Sequence, residues 1–313
     1  MELKNKHISI ETTNLCPAHC TICPREQLTQ KLGIMDFDLF KKIIDDAAQY
    51  NIASLDTCGF GEPFTDNLLF ERFQYIREKL PKAKIYVSSN CFLMTPDIYD
   101  KVIKYVDILK ISIYGITKDV YEKSHRGSLK FEKVYSNILG FLEKTKNLKK
   151  KPHTIGLLTV TDINKHEMND WIKFWKPKLD EVYVWQPHNY GGAKNYRTID
   201  HTKQESCGRP FYGPLYIHID GLVSMCCFDF NAKLIIGDIK TQTIDEIFHS
   251  EAYRKLRKAH KTKNFKDYLC YNCCQTNYDP SVLLYATNKK RKAGRTNANL
   301  QDLKPEKEDG NNY

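Results

Sequence analysis

Asn14-Leu15-Cys16-Pro17-Ala18-His19-Cys20-Thr21-Ile22-Cys23-Pro24 puts three thiols within one short loop, at the spacing C-x₃-C-x₂-C. Zinc sites built from neighbouring ligands usually join one C-x₂-C pair to another and close at four ligands. A [4Fe–4S] cube normally takes four cysteine thiolates. Three thiolates leave one iron with an open position, and an open position is where a reacting molecule can bind. A structural zinc loop is the alternative reading of these thiols alone.

The flanking residues say how the loop is carried. Lys6 to Glu11 alternates as a strand and delivers it. Apolar residues at helical spacing follow in Phe37 to Tyr50. The chain then continues in alternation. Strands are expected at Ala53 to Thr57, Lys84 to Ser88, Asp107 to Tyr114, His153 to Thr161 and Val182 to Gln186. Helices are expected at Leu68 to Lys79, Pro96 to Tyr105, Phe131 to Lys144 and Glu167 to Lys176. Six strands with helical crossovers imply a parallel α/β sheet with right-handed connections. Functional loops in such sheets lie at the C-terminal ends of the strands. The cysteine loop follows the first strand, in keeping with that rule.

With this loop on this strand, the chain resembles the radical S-adenosylmethionine (radical SAM) superfamily. The resemblance implies a (β/α)6 partial TIM barrel. It also implies a [4Fe–4S] cluster on Cys16, Cys20 and Cys23 whose open iron binds S-adenosylmethionine, for cleavage to a 5′-deoxyadenosyl radical. Gly59-Phe60-Gly61-Glu62-Pro63 is similar to the family's Gly-Gly-Glu-Pro segment, which contacts the methionyl amine. On that likeness Gly59, Gly61 and Glu62 face the cofactor, through a loop carbonyl or the Glu62 carboxylate. Ser112 and Arg126 are implied as cofactor contacts too, with Arg126 pairing to the carboxylate by its two-pronged guanidinium. Ser89 and Asn90, at the end of the third strand, are candidates for ribose or carboxylate contact. A flavodoxin- or ferredoxin-type reductant is implied as electron donor.

A second cysteine set follows a change of pattern near Thr198 to Ser206. Cys207, Gly221 and Cys226 form C-x₁₃-G-x₄-C, and Cys270 and Cys273 supply a later C-x₂-C. Asp220-Gly221 is a hairpin signal between Tyr216 to Ile219 and Leu222 to Met225. A helix over Ile244 to His260 would return the second pair to the first. Cys207, Cys226, Cys270 and Cys273 are thus candidate ligands of one complete site, with Cys227 and Cys274 as possible substitutes. By spacing alone a four-cysteine zinc ribbon is the competing reading. The set resembles the twitch and SPASM modules that bind an auxiliary [4Fe–4S] cluster, which gives two cubes in all. No cysteine follows Cys274, so a second auxiliary cluster is not expected. The expected organisation is a partial barrel over 1–198, a twitch/SPASM-like domain over 199–287, and a polar, basic, disordered tail over 288–313.

Bulk properties limit the functions further. The 313 residues carry 48 Lys and Arg against 38 Asp and Glu, a formal charge of +10. Much of that excess sits in Lys149-Lys150-Lys151 and Lys289-Lys290-Arg291-Lys292, runs that read as solvated faces or tails. No nucleic-acid motif accompanies them, and nucleic acid is not expected as a partner. No apolar run is long enough to span a membrane, and no apolar leader is visible, so a cytoplasmic enzyme is expected. An odd count of 11 cysteines favours metal ligation over a disulfide framework.

Trp185-Gln186-Pro187-His188-Asn189-Tyr190 ends the sixth strand with aromatic and polar groups that suit a hydroxyl-rich ligand. His188, Tyr190 and Asp229 are the candidate catalytic proton carriers. Little of the chain precedes the first strand, and a separate peptide-recognition domain is not expected there. The reaction expected is dehydrogenation or epimerisation of a carbohydrate-like molecule, an epimerase needing a hydrogen donor such as Cys227 or Cys91. Peptide modification is the alternative, and a non-catalytic metal-binding protein is the alternative of another class.

Overall fold

The computed structural model describes residues 6–277 and 279–288. Most of the expected tail, 289–313, lies outside the described residues. Six strands run in sequence and pair as parallel neighbours: β1 (His7–Ile10), β2 (Ser54–Asp56), β3 (Lys84–Ser89), β4 (Ile108–Ser112), β5 (His153–Thr159) and β6 (Glu181–Trp185). The crossovers carry α1 (Phe37–Ala47), α2 (Leu69–Lys79), α3 (Tyr99–Tyr105), α4 (Lys118–His125), α5 (Phe131–Thr145) and α6 (Met168–Trp175). This is the partial-barrel core.

The helices form where caps and apolar stripes agree. Asp36 caps α1 by accepting from Leu39 N at 2.9 Å, and Phe40, Ile43, Ile44 and Ala47 bury against the sheet. Trp171 and Trp175 do the same from α6. The α4 helix is not among the expected elements. It has eight residues, most of them polar, and its apolar signal is confined to Val120 and Tyr121.

The cysteine-rich part adds its strands to the barrel's own sheet. It contributes α7 (Arg209–Tyr212), β7 (Leu215–Ile217), β8 (Leu222–Ser224), β9 (Ile235–Asp238), α8 (Ile244–Phe248), α9 (Glu251–Thr262) and β10 (Leu283–Ala286). Strand β7 pairs parallel to β1, and β8 and β9 continue antiparallel. At the far edge β10 lies antiparallel on β6. The order across the sheet is β10-β6-β5-β4-β3-β2-β1-β7-β8-β9. The single helix expected over Ile244 to His260 is two, because Ser250 starts a new one: its hydroxyl accepts from Tyr253 N and donates to Ile236 O at 2.7 Å.

Candidate active site

The cysteine loop is clamped from two sides. On one side the loop after β2 holds its start: Glu62 N donates to Leu15 O at 2.7 Å, and Thr65 Oγ1 donates to the same carbonyl at 3.1 Å. Gly61 lies so close that a Cβ there would sit 2.2 Å from Thr13 O. On the other side the end of α4 holds its middle. His19 N and Thr21 N donate to His125 O and Ser124 O, each at 3.0 Å, and Ser128 N donates to Pro17 O at 2.9 Å. Gly127, at φ +70°, has room for no side chain against Pro17 O.

Cys16, Cys20 and Cys23 project from this loop as free thiols. Burial pushes Cys16 up to about 12 and raises Cys20 and Cys23, and the Cys23 and Cys16 sulfurs add to the rise at Cys20. Three half-buried thiols drawn this close are unfavourable as thiolates alone and favourable once bound cations deprotonate them. His125 sits beside them, its ring stacked on Tyr114 at 4.5 Å. Tyr114 N–H donates to His125 Nε2 at 3.1 Å, so Nδ1 carries the ring proton and donates toward Cys20 Sγ at 3.4 Å. Burial lowers His125 to about 3, so the ring is neutral.

The carboxylate of Glu62 is 2% exposed and accepts from Ser89 Oγ at 2.7 Å and Asn90 N at 2.8 Å. It braces the ends of β2 and β3 against each other rather than lying open to a ligand. Burial pushes it up to about 7 against the pull of those donors. Asn90 Nδ2 reaches to 3.8 Å from Cys16 Sγ. Gly59 packs on Glu11, whose Oε1 accepts from Phe60 N at 2.7 Å. Ser112 ends β4 beside Tyr114. Arg126 points outward, 54% exposed, with Nη1 3.7 Å from Glu26.

The second cysteine set is brought together from three places. Cys207 precedes the left-handed Gly208, Cys226 follows β8, and Cys270 and Cys273 lie in the turns after α9. Their sulfurs act on one another and on their neighbours: Cys226 feels Cys227 most and Cys207 as well, Cys273 feels Cys274 most and then Cys226 and Cys270, and burial followed by Cys207 raises Cys270. His260 Nε2 stands 3.4 Å from Cys270 Sγ. Cys227 and Cys274 lie beside this set, each in hydrogen-bond contact with its neighbour, Cys226 and Cys273. Cys274 receives Asn189 N at 3.4 Å, and the Cys273 thiol and His188 hold it below the usual thiol range. Cys227 lies within electrostatic reach of Tyr190.

Between the two sets stands an aromatic cluster. The His188 ring is 4.7 Å from Phe228, and Tyr190 is 5.2 Å from Phe228 and 6.1 Å from Phe60. Burial raises Tyr190 well above the usual phenol range, followed by Cys23, Tyr114, Cys227 and Cys20. His188 and Tyr190 therefore lie together between the cysteine sets. Asp229 does not join them. Its two oxygens accept from Lys233 N at 2.8 Å and Leu234 N at 2.6 Å, so this buried carboxylate braces a loop instead of carrying a substrate proton. Cys91 is 0% exposed in the hydrophobic core and is not placed to give a hydrogen to a substrate.

Among the described residues, no three His, Cys, Asp or Glu donors converge on the position of a single ion. The fit to iron–sulfur cubes rests on donor chemistry. The first set offers three half-buried thiols and a neutral N–H donor. The second offers four thiols, of which Cys207, Cys226 and Cys273 act on Arg209, a buried guanidinium whose nitrogens have no hydrogen-bond partner among the described residues. Burial opposes that charge, and the sulfurs of Cys227, Cys226, Cys207 and Cys273 outweigh it. An anionic cluster held by these thiolates would supply the missing partner. Sequence reasoning missed His125 and Arg209, although one directly precedes Arg126 and the other lies two residues after Cys207.

Comparison with known proteins places these sites in a family. The model of the radical SAM superfamily matches residues 10–174, and that of the SPASM iron–sulfur cluster-binding domain matches residues 207–274. An S-adenosyl-L-methionine-dependent 2-deoxy-scyllo-inosamine dehydrogenase of Niallia circulans is 24% identical over 85% of this chain and 91% of its own length. A tungsten-containing aldehyde ferredoxin oxidoreductase cofactor-modifying protein of Pyrococcus furiosus is 26% identical over 37% of this chain, and the match spans only 31% of that relative. Among solved structures, BtrN in complex with AdoMet and 2-DOIA superposes with a TM-score of 0.61 at 20% identity, covering 87% of this chain and 94% of that one. Streptococcus suis SuiB bound to the precursor peptide SuiA gives 0.64 at 13% identity, covering 86% of this chain and 69% of that one. Among the described residues, no helix is long and apolar enough to cross a membrane.

Proposed function

Because this chain belongs to the radical SAM superfamily and carries its SPASM iron–sulfur domain, we propose that it oxidises a carbinol carbon of a carbohydrate-like molecule. The observation that carries this reading is the position of Tyr190, packed on Phe228 and Phe60 and within electrostatic reach of Cys23, Cys227 and Cys20. A substrate held at Tyr190 lies between the two cysteine sets. The dehydrogenase from Niallia circulans, similar over most of both chains, supports the same substrate class.

When bound, the first cluster with S-adenosylmethionine supplies the radical that removes hydrogen, and the auxiliary cluster supplies a one-electron acceptor. The chain's own residues do the rest. Cys16, Cys20 and Cys23 hold the first cube, and Cys207, Cys226, Cys270 and Cys273 the second. Glu62 fixes Ser89 and Asn90, and the backbone at Gly59 and Gly61 forms the wall of the cofactor cleft. Arg126 is exposed enough to pair with the cofactor carboxylate. Tyr190 keeps its proton at neutral pH and donates a hydrogen bond to a substrate oxygen. His188 is left as the acceptor of the hydroxyl proton. Phe60 and Phe228 exclude water.

Anaerobic reconstitution with candidate aminocyclitols, sugars and peptides tests this. Substrate deuterated at the carbinol carbon should deliver deuterium to 5′-deoxyadenosine and yield a ketone. Solvent hydrogen in an inverted centre would make the enzyme an epimerase. Modification of a peptide, with no carbohydrate consumed, would replace the reading with peptide modification.

A further inference from the structure

Arg209 is the anomaly of the second cysteine set. It is 1% exposed, and Nε, Nη1 and Nη2 all lack a hydrogen-bond partner among the described residues. Arg72, equally buried, shows the usual arrangement: its Nε donates to Asp66 Oδ2 at 2.8 Å. A guanidinium taken out of water without an anion is strongly unfavourable, so such groups are found paired. Around Arg209 the available partners are the sulfurs of Cys207, Cys226, Cys227 and Cys273, with the Phe228 ring 5.2 Å from its central carbon.

The local backbone aims it there. Gly208, directly after Cys207, takes φ +81°, a left-handed turn that a side-chain-bearing residue resists, and α7 begins at Arg209. Gly213 closes the turn by donating its N–H to Arg209 O at 2.7 Å, and a Cβ on it would sit 3.0 Å from Arg209 Cβ. Arg209 is therefore held from both sides.

We propose that Arg209 is the fixed counter-cation of the auxiliary cluster and raises its reduction potential. A thiolate-bound cube becomes one charge more negative on reduction, so a buried positive charge favours the reduced form. Net charge and hydrogen bonds to sulfur are the terms by which proteins set these potentials. The consequence for turnover, easier acceptance of an electron from substrate, rests on the oxidative function proposed above. The potential itself does not.

The test compares full-length wild type, Arg209→Lys and Arg209→Met after anaerobic reconstitution. Potentiometric titration is followed by EPR, and the signal that S-adenosylmethionine leaves unshifted is assigned to the auxiliary cube. At a fixed applied potential, Arg209→Met should lower the reduced-to-oxidised ratio about ten-fold, which is ~59 mV for a one-electron couple. Arg209→Lys should change it less. Wild-type titration of Arg209→Met with full iron content overturns the proposal. Should Arg209→Met lose the cube, Arg209→Lys decides. About eight irons retained in it supports the counter-charge, whereas about four, as in Arg209→Met, assigns Arg209 a packing role instead. A shifted potential in an enzyme that forms no oxidised product would sink the oxidative reading and leave the counter-cation standing.

Discussion

At the scale of single residues, Glu62 holds the ends of two strands while itself resisting ionisation. Its folded value of about 7 lies above its ordinary 4.5, so the folded chain binds that proton more tightly than the unfolded chain. Stability from this group is therefore complete below about pH 4.5 and is lost as pH rises toward about 7. The slope is at most about 1.4 kcal/mol per pH unit. Anaerobic denaturant unfolding at stepped pH should show this limb in wild type and a flatter one in Glu62→Gln. An unchanged slope would assign the effect to another group. Asn189 tests the other cysteine set. Its Nδ2 donates to Asn272 O at 2.8 Å, and its Oδ1 accepts from Cys274 N at 2.9 Å. Asn189→Ala should cost about 1–3 kcal/mol and reduce retention of the auxiliary cube, read by thermal unfolding and iron analysis. The first three cysteines stood out in the sequence because their spacing is local, whereas the second set is spread from Cys207 to Cys273. The partner of Cys20 did not, since His125 lies 105 positions away and only the fold joins them. Asp229 misled for the opposite reason: its position beside Cys226 and Cys227 suggested chemistry, while its oxygens answer to backbone four and five residues on.

At the scale of elements, the clamped loop makes a sharp prediction. Gly127→Ala would place a methyl group 2.5 Å from Pro17 O at a backbone angle that L-residues resist. The loop should open, and reconstituted iron should fall from about eight to about four as the first cube is lost. Full iron content with wild-type cleavage of S-adenosylmethionine would mean that the contact with α4 is dispensable. This contact was beyond the sequence reading, because α4 was not expected at all. Helix α1 was readable, since its apolar stripe repeats over three turns and ends the burial pattern cleanly. The α8 and α9 pair read as one helix because apolar periodicity runs through His249 and Ser250. The break is made by the Ser250 hydroxyl bonding to Ile236 on β9, a strand the sequence did not suggest.

At the scale of the whole molecule, the six-strand alternation fixed the barrel core, but not how its edges are closed. Those edges are sealed by strands from the cysteine-rich part, β7 on one side and β10 on the other. Sheet partners so far apart in the chain leave no local signature. Removing residues 279–313 should uncover the edge of β6 and promote self-association, seen by light scattering, whereas removing 289–313 alone should not. An equally monodisperse 279–313 deletion would show that β10 is not a needed cover. The pairing of β1 with β7 also has a consequence for biosynthesis. Strand β1 ends at Ile10 and its partner ends at Ile217. At ribosomal speeds of about 5–20 residues per second, the interval between them is roughly 10–40 s. Throughout that time the nascent chain carries its first three thiols on a half-finished sheet, with β1 paired on its β2 side only. The clamps of that loop end at Ser128, whereas the second cysteine set is complete only at Cys273, so the inorganic centres have a natural order of assembly: the first can be housed while the chain still grows, and the second must wait for its last ligand.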